Sequence, residues 1–219
     1  MTKKSRLLNK LQHENILRFL DWVRTEKNAY IFFEFSNGGD LKRFLNLRGG
    51  YLEEELTAII LKQVAIGIKY LSENKVMHRD IKLENILMHF PNYKGKGSCP
   101  DEYIKNFDYD KEPIEVTICD LGFSKEYQQE RPGQTFWGTP QNMAPEIILS
   151  EEYDTMIDVW AFGIVMYELL VGIPPFNAKN QLKLAWKIIN EGTYRIPRAT
   201  KLSKEGVQLL TSCLKFNLK

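Results

Sequence analysis

The chain has 219 residues, 43% hydrophobic and 26% charged, which fits a soluble globular protein of one large or two small domains with a sizeable core. Its formal net charge is +2, with Lys and Arg scattered except for Lys3-Lys4, so there is no general electrostatic case for nucleic acid or an anionic membrane. Cys99, Cys119 and Cys213 are odd in number, far apart, and form neither a CxxC pair nor a zinc pattern with histidine, and a reducing compartment is the natural inference.

In chain order, residues 4–12 are predicted as a short helix, with Leu7, Leu8 and Leu11 on one face and His13-Glu14-Asn15 ending it. Ile16 to Arg24 and Ala29 to Phe35 read as two strands joined by the polar Thr25 to Asn28, a hairpin. Ser36-Asn37-Gly38-Gly39-Asp40 breaks the pattern, and helical periodicity begins at Leu41. Leu52, Leu56, Ile59, Ile60, Val64, Ile68 and Leu71 recur at three and four residues, predicting a helix over 52–73 buried along one side.

From Met88 to Ile114 runs a polar stretch with Gly95-Lys96-Gly97 and Pro91, Pro100 and Pro113, expected as a surface insertion near 89–114. Val116 to Cys119 is a predicted strand, 121–146 lacks a sustained period as a long functional loop would, and helices are predicted at 155–171, 180–190 and 203–215. The most apolar stretch, Trp160 to Ile173, contains Glu168 and is too short to span a bilayer, and no signal-peptide hydrophobic region opens the chain. The expected fold class is α+β, and the expected location is intracellular and cytoplasmic, without membrane insertion.

His78-Arg79-Asp80-Ile81-Lys82-Leu83-Glu84-Asn85 places a carboxylate, a cation and an amide within eight residues. By itself this could be an ordinary polar turn, and a lone Asp120-Leu121-Gly122 is more often a structural turn. In order along the chain follow Thr135-Phe136-Trp137-Gly138-Thr139-Pro140, Met143-Ala144-Pro145-Glu146 and Asp158-Val159-Trp160-Ala161-Phe162-Gly163. Together these segments resemble the motifs of eukaryotic protein kinases.

The resemblance implies a partial N-lobe over 1–36, made of one helix and a hairpin, and a mainly helical C-lobe over 37–219. It implies that Asp80 accepts the substrate hydroxyl proton, Lys82 steadies the γ-phosphate, Thr139 lies near the incoming hydroxyl, and Asn85 with Asp120 binds Mg²⁺ beside ATP. Two oxygen ligands completed by phosphates and waters suit that octahedral ion. Backbone groups near Glu34 and Ser36 would meet the adenine edge, Phe33 would partly close the pocket behind it, and Leu87 would lie beneath the ring. Asp158 would anchor the loop backbone, although Trp160, Phe162 and their neighbours equally suit plain core. Lys82, two residues after Asp80, is the serine/threonine form, so the implied substrate is a protein serine or threonine hydroxyl. Thr135 stands where the family often carries an activating phosphate that Arg79 would pair with.

Some of the family's pattern is not matched. No glycine-rich loop or strand lysine precedes the first helix, Lys4 stands where that lysine's glutamate partner is expected, and no later arginine answers Glu146. The expectation is therefore a kinase truncated at both ends, with apolar surface exposed on a hairpin that lacks the rest of its sheet. An upstream segment ahead of Met1 carrying the missing loop and lysine would reconcile the two sets of residues. The alternative is a non-catalytic, kinase-like binding module with a regulatory protein partner.

Overall fold

In the computed structural model, residues 8–121, 124–126, 140–149, 151–176, 181–188, 194–197 and 200–215 are described. Residues 8–10 are helical, and Leu8 and Leu11 are buried. The hairpin is β1 (Phe19–Arg24) with β2 (Ala29–Phe33), antiparallel with Phe19 opposite Phe33 and Arg24 opposite Ala29. The first strand is shorter than its sequence pattern because Ile16 and Leu17 turn elsewhere. Ile16 forms a parallel bridge to Ile118, and the Leu17 amide donates to the Ile118 carbonyl at 2.8 Å. Most of the hairpin's large side chains stay exposed, among them Tyr30, Ile31, Phe32 and Phe35, the last 64% exposed.

Asp40 ends the two-residue strand β3 (Gly39–Asp40) and caps α1 (Leu41–Leu47), its carboxylate accepting the Arg43 amide at 2.8 Å. The long predicted helix is α2 (Glu54–Glu73), whose Leu56, Ile60, Val64, Ile68 and Leu71 are buried as the three-four spacing requires, while Ile59 is exposed. It leads through β4 (Val76–Met77) into the His78 segment. One 3₁₀ turn, Leu83–Asn85, then passes into β5 (Ile86–His89). β3, β5 and β6 (Glu115–Ile118) form a three-stranded antiparallel sheet in which Leu87 lies opposite both Asp40 and Thr117. A second small sheet pairs β4 with β7 (Lys125–Glu126).

The polar segment expected as a surface insertion carries its own anchor in the core. Phe90, Cys99, Ile104, Phe107 and Ile114 are buried, and a short helix α3 (Asp101–Lys105) lies within it. Phe90 meets the edges of Tyr103 and Phe107, with ring centroids 5.6 and 4.7 Å away. Two arginines near α1 hold the backbone: Arg48 donates to the Lys105 and Phe107 carbonyls, both at 2.9 Å, and Arg43 bonds the Cys99 carbonyl at 3.1 Å.

The remaining described elements are helical: α4 (Pro145–Ile148), α5 (Met156–Val171), α6 (Gln181–Trp186) and α7 (Lys204–Cys213). α5 is buried around most of its circumference and packs between α2 and α7, which explains why its sequence lacks a polar face. Among the described residues no helix is long and apolar enough to cross a membrane.

Candidate functional site

The His78 segment is held from beneath by α5. Asp158, in the first turn of that helix and 2% exposed, accepts the His78 amide at 2.7 Å on one carboxylate oxygen and the Arg79 amide at 2.8 Å on the other. Burial pushes the Asp158 carboxyl above its ordinary value, opposed by His78, the two amide bonds and Arg79. Arg79 has φ of 71°, a left-handed conformation that a non-glycine residue adopts at a cost on the order of 1 kcal/mol. The Asp158 bond to its amide offsets that strain. His78 joins the segment to the strand below: Nε2 lies 2.8 Å from the Cys119 carbonyl, and Nδ1 accepts the Asp80 amide at 3.3 Å. That arrangement requires the tautomer with the proton on Nε2.

Three residues implied by the motif are brought together here. The Asn85 amide nitrogen donates to the Asp80 carbonyl at 2.8 Å and to Asp80 Oδ2 at 2.9 Å, and Lys82 Nζ lies 2.8 Å from the same Oδ2. Asp80 and Asn85 are buried, whereas the Lys82 side chain keeps a quarter of its surface. The 3₁₀ turn produces this closure, because the Asn85 backbone N–H bonds back to the Lys82 carbonyl at 3.0 Å. The Cys119 amide then donates to the Asn85 carbonyl at 2.9 Å, fixing the spacing between that turn and Asp120. Asp120, like Arg79, has a left-handed backbone, with φ of 58°.

The donor set fits a hard divalent cation. The two bonds from the Asn85 nitrogen identify which end of that amide is oxygen and turn Oδ1 away from Asp80. With the Asp120 carboxylate two residues past the end of β6, both side chains carry oxygen donors, suited to Mg²⁺ completed by phosphate and water. The neighbouring Cys119 thiol is pushed up to about 12, first by burial and then by the Asp120 and Asp40 carboxylates, so it is no thiolate ligand at neutral pH.

The residues implied for an adenine edge lie where the hairpin ends. The Glu34 amide donates to the Arg18 carbonyl at 3.0 Å, extending the hairpin ladder past Phe33, and the Glu34 and Arg18 side chains make an exposed ion pair at 3.4 Å. Ser36 is half-buried and immediately precedes the buried Asn37. Phe33 meets Phe19 edge-on at 6.1 Å and is 37% exposed, so it is only partly covered. Leu87 is half-buried in the centre of the three-stranded sheet. Thr139, Thr135, Gly122 and Lys4 lie outside the described residues.

One contact at the loop escaped the sequence reading. Asn142 donates to the Ile81 carbonyl at 2.9 Å, linking the segment before α4 to the loop. Nothing in the local sequence marks it, since the two residues are 61 positions apart. Glu146 is half-buried, and its carboxyl is raised by burial and by Asp154 and Glu151 against an opposing hydrogen bond from its own amide.

Comparison with known proteins matches the protein kinase domain over residues 1–219. The chain is 30% identical over 219 residues to the serine/threonine-protein kinase ATG1a of Arabidopsis thaliana, covering 99% of this chain and 32% of that protein. Against the human serine/threonine-protein kinase ULK1 it is 32% identical, covering 99% of this chain and 19% of the relative. An Aurora kinase of Encephalitozoon cuniculi is 34% identical over 188 residues, 85% of this chain and 61% of that protein. The chain thus spans less than two thirds of the length of these relatives.

Proposed function

This chain belongs to the protein kinase family, and on that premise we propose that it transfers the γ-phosphate of ATP to a serine or threonine hydroxyl of a protein substrate. The observation that carries the proposal is the joint hold of Lys82 and Asn85 on one carboxylate oxygen of Asp80, at 2.8 and 2.9 Å. Phosphoryl transfer is mostly a matter of positioning and electrostatics, and these bonds keep a base and a cation at fixed separation.

In this function Asp80 orients the attacking hydroxyl and accepts its proton, and Lys82 presents positive charge to the phosphoryl oxygens. Asn85 and Asp120 would hold Mg²⁺ through oxygen, the Glu34 and Ser36 backbone would bind the adenine edge, and Leu87 would pack against the ring. Thr139 is assigned to the hydroxyl side. Bound Mg-ATP supplies the phosphoryl group and neutralises its charge. The division into an N-lobe fragment over 1–36 and a C-lobe over 37–219 belongs to the same proposal, as does a cytoplasmic location.

The test is transfer of radiolabel from ATP to a serine/threonine substrate, with Asp80→Asn as the control. Incorporation should fall by at least about 10² in the variant, and equal incorporation by the two proteins refutes the assignment. A second function is supported by the hairpin, where Tyr30, Ile31, Phe32 and Phe35 stand exposed together. They suit a kinase-like module that binds a regulatory protein without catalysis. A clear stabilisation by Mg-ATP in a thermal melt, together with turnover, rules that function out.

A further inference from the structure

The turn that follows the hairpin draws its hydrogen bonds from the 88–101 segment. Asn37, 7% exposed, exchanges two bonds with the Phe90 backbone, its Nδ2 donating at 3.0 Å and its Oδ1 accepting at 2.8 Å. The Asn37 carbonyl accepts the Cys99 amide at 2.7 Å, and the Gly38 amide donates to the Met88 carbonyl at 2.9 Å. Arg43 closes the circuit. Its Nη1 donates to the Gly38 carbonyl at 2.9 Å, and its Nη2 reaches the Cys99 carbonyl at 3.1 Å and Asp101 Oδ1 at 2.6 Å.

These bonds converge on a piece of chain that needs restraint. Gly38 has no room for a side chain, since a Cβ would sit 2.5 Å from the Phe90 ring and 2.7 Å from the Met88 carbonyl, and Gly39 has φ of 75°. Two adjacent glycines leave the backbone free to adopt other conformations. The planar guanidinium bridges both sides of the turn, a geometry that a single ammonium cannot reproduce. Ser36 precedes this turn, and Asp40, which ends it, lies opposite Leu87.

We infer that Arg43 is a positioning residue for the nucleotide, clamping the 90–101 segment against the turn 36–40 so that Ser36 and Leu87 keep one spacing. The inference rests on the nucleotide site proposed above. The clamp raises the fraction of molecules whose turn is ready to accept the adenine edge, and apparent affinity scales with that fraction. The Asp101 arm contributes little, because its side chain is 59% exposed and such pairs are screened.

The test is titration of Mg-ATP into the wild-type chain and into Arg43→Met, Arg43→Lys and Asp101→Asn, with melting temperatures measured separately without nucleotide. Arg43→Met should raise Kd about tenfold and Arg43→Lys by roughly threefold, while Asp101→Asn stays within about twofold. Wild-type affinity in Arg43→Met overturns the inference, whether or not its melting temperature falls, because the arginine would then serve stability alone. If Arg43→Met does not fold, Arg43→Lys decides: unchanged Kd overturns the role and a weakened one supports it. Absence of binding by the wild-type chain overturns the nucleotide site itself and the inference with it, an outcome distinguishable from failure of the variants alone.

Discussion

Replacing Asp158 with Asn tests whether the loop is held from α5. The carboxylate accepts two buried amides, at 2.7 and 2.8 Å, and hydrogen bonds to a charged group contribute about 1.5 to 3 kcal/mol each. The amide side chain keeps one acceptor and turns an NH₂ toward the other N–H, leaving that donor unsatisfied at a further cost of about 1 to 3 kcal/mol. Against this stands the relief of burying a charge, the cause of the raised carboxyl. The two nearly cancel, leaving a net loss of about 1 kcal/mol at neutral pH, which for a chain of this size lowers Tm by roughly 2 to 4 °C.

The pH dependence has a definite sign. Because the folded carboxyl lies above its ordinary 3.8, the native state takes up this proton first as the solution is acidified, and proton linkage then favours folding. The wild-type advantage over Asp158→Asn should therefore be smallest at neutral pH and grow as the pH falls through the folded value toward 3.8. Other carboxylates titrate alike in both proteins. Chemical denaturation at several pH values measures the difference. A stability change below about 0.5 kcal/mol, or an advantage that shrinks on acidification, refutes the account of Asp158.

Gly38→Ala should destabilise the chain by about 1 to 3 kcal/mol, since its Cβ would meet the Phe90 ring at 2.5 Å and the Met88 carbonyl at 2.7 Å; an unchanged melting temperature refutes that packing. Asn85→Ala removes two bonds to Asp80. It should cost about 1 to 3 kcal/mol and flatten the dependence of nucleotide affinity on Mg²⁺ concentration in a titration series. Cys119, held up to about 12 by burial and by Asp120 and Asp40, carries a thiolate fraction on the order of 10⁻⁴ at pH 8. Alkylation followed by mass spectrometry should find it protected at pH 8 until denaturant is added; rapid labelling of the folded chain would contradict the burial.

Periodicity and motif order carried most of the fold. Apart from the exposed Ile59, the repeat from Leu56 to Leu71 determined which side of α2 is buried, and the octet at 78–85, followed by Asp120 and Asp158, determined the family and the candidate site residues. These signals are legible because they are local: a helix repeats its face every three to four residues, and a motif packs its chemistry into a few positions. The bonds that give the residues their geometry are long-range. Asp158 reaches His78 across 80 positions, and Asn37 reaches Phe90 across 53.

The segment 89–114 shows the boundary most clearly. Its prolines, glycines and charges read as surface chain, yet Phe90, Ile104 and Phe107 enter the core, and Arg43 and Arg48 hold its carbonyls. No regular spacing advertises those anchors, because each answers a partner elsewhere in the chain rather than a helical or strand period. The sequence alone determined which chemical groups the protein possesses and in what order. Only the tertiary structure decided that the Asp80 carboxylate is shared by Lys82 and Asn85, and that the polar segment after β5 braces the turn after the hairpin, since those outcomes depend on distances that close only when the sheet and α5 are packed.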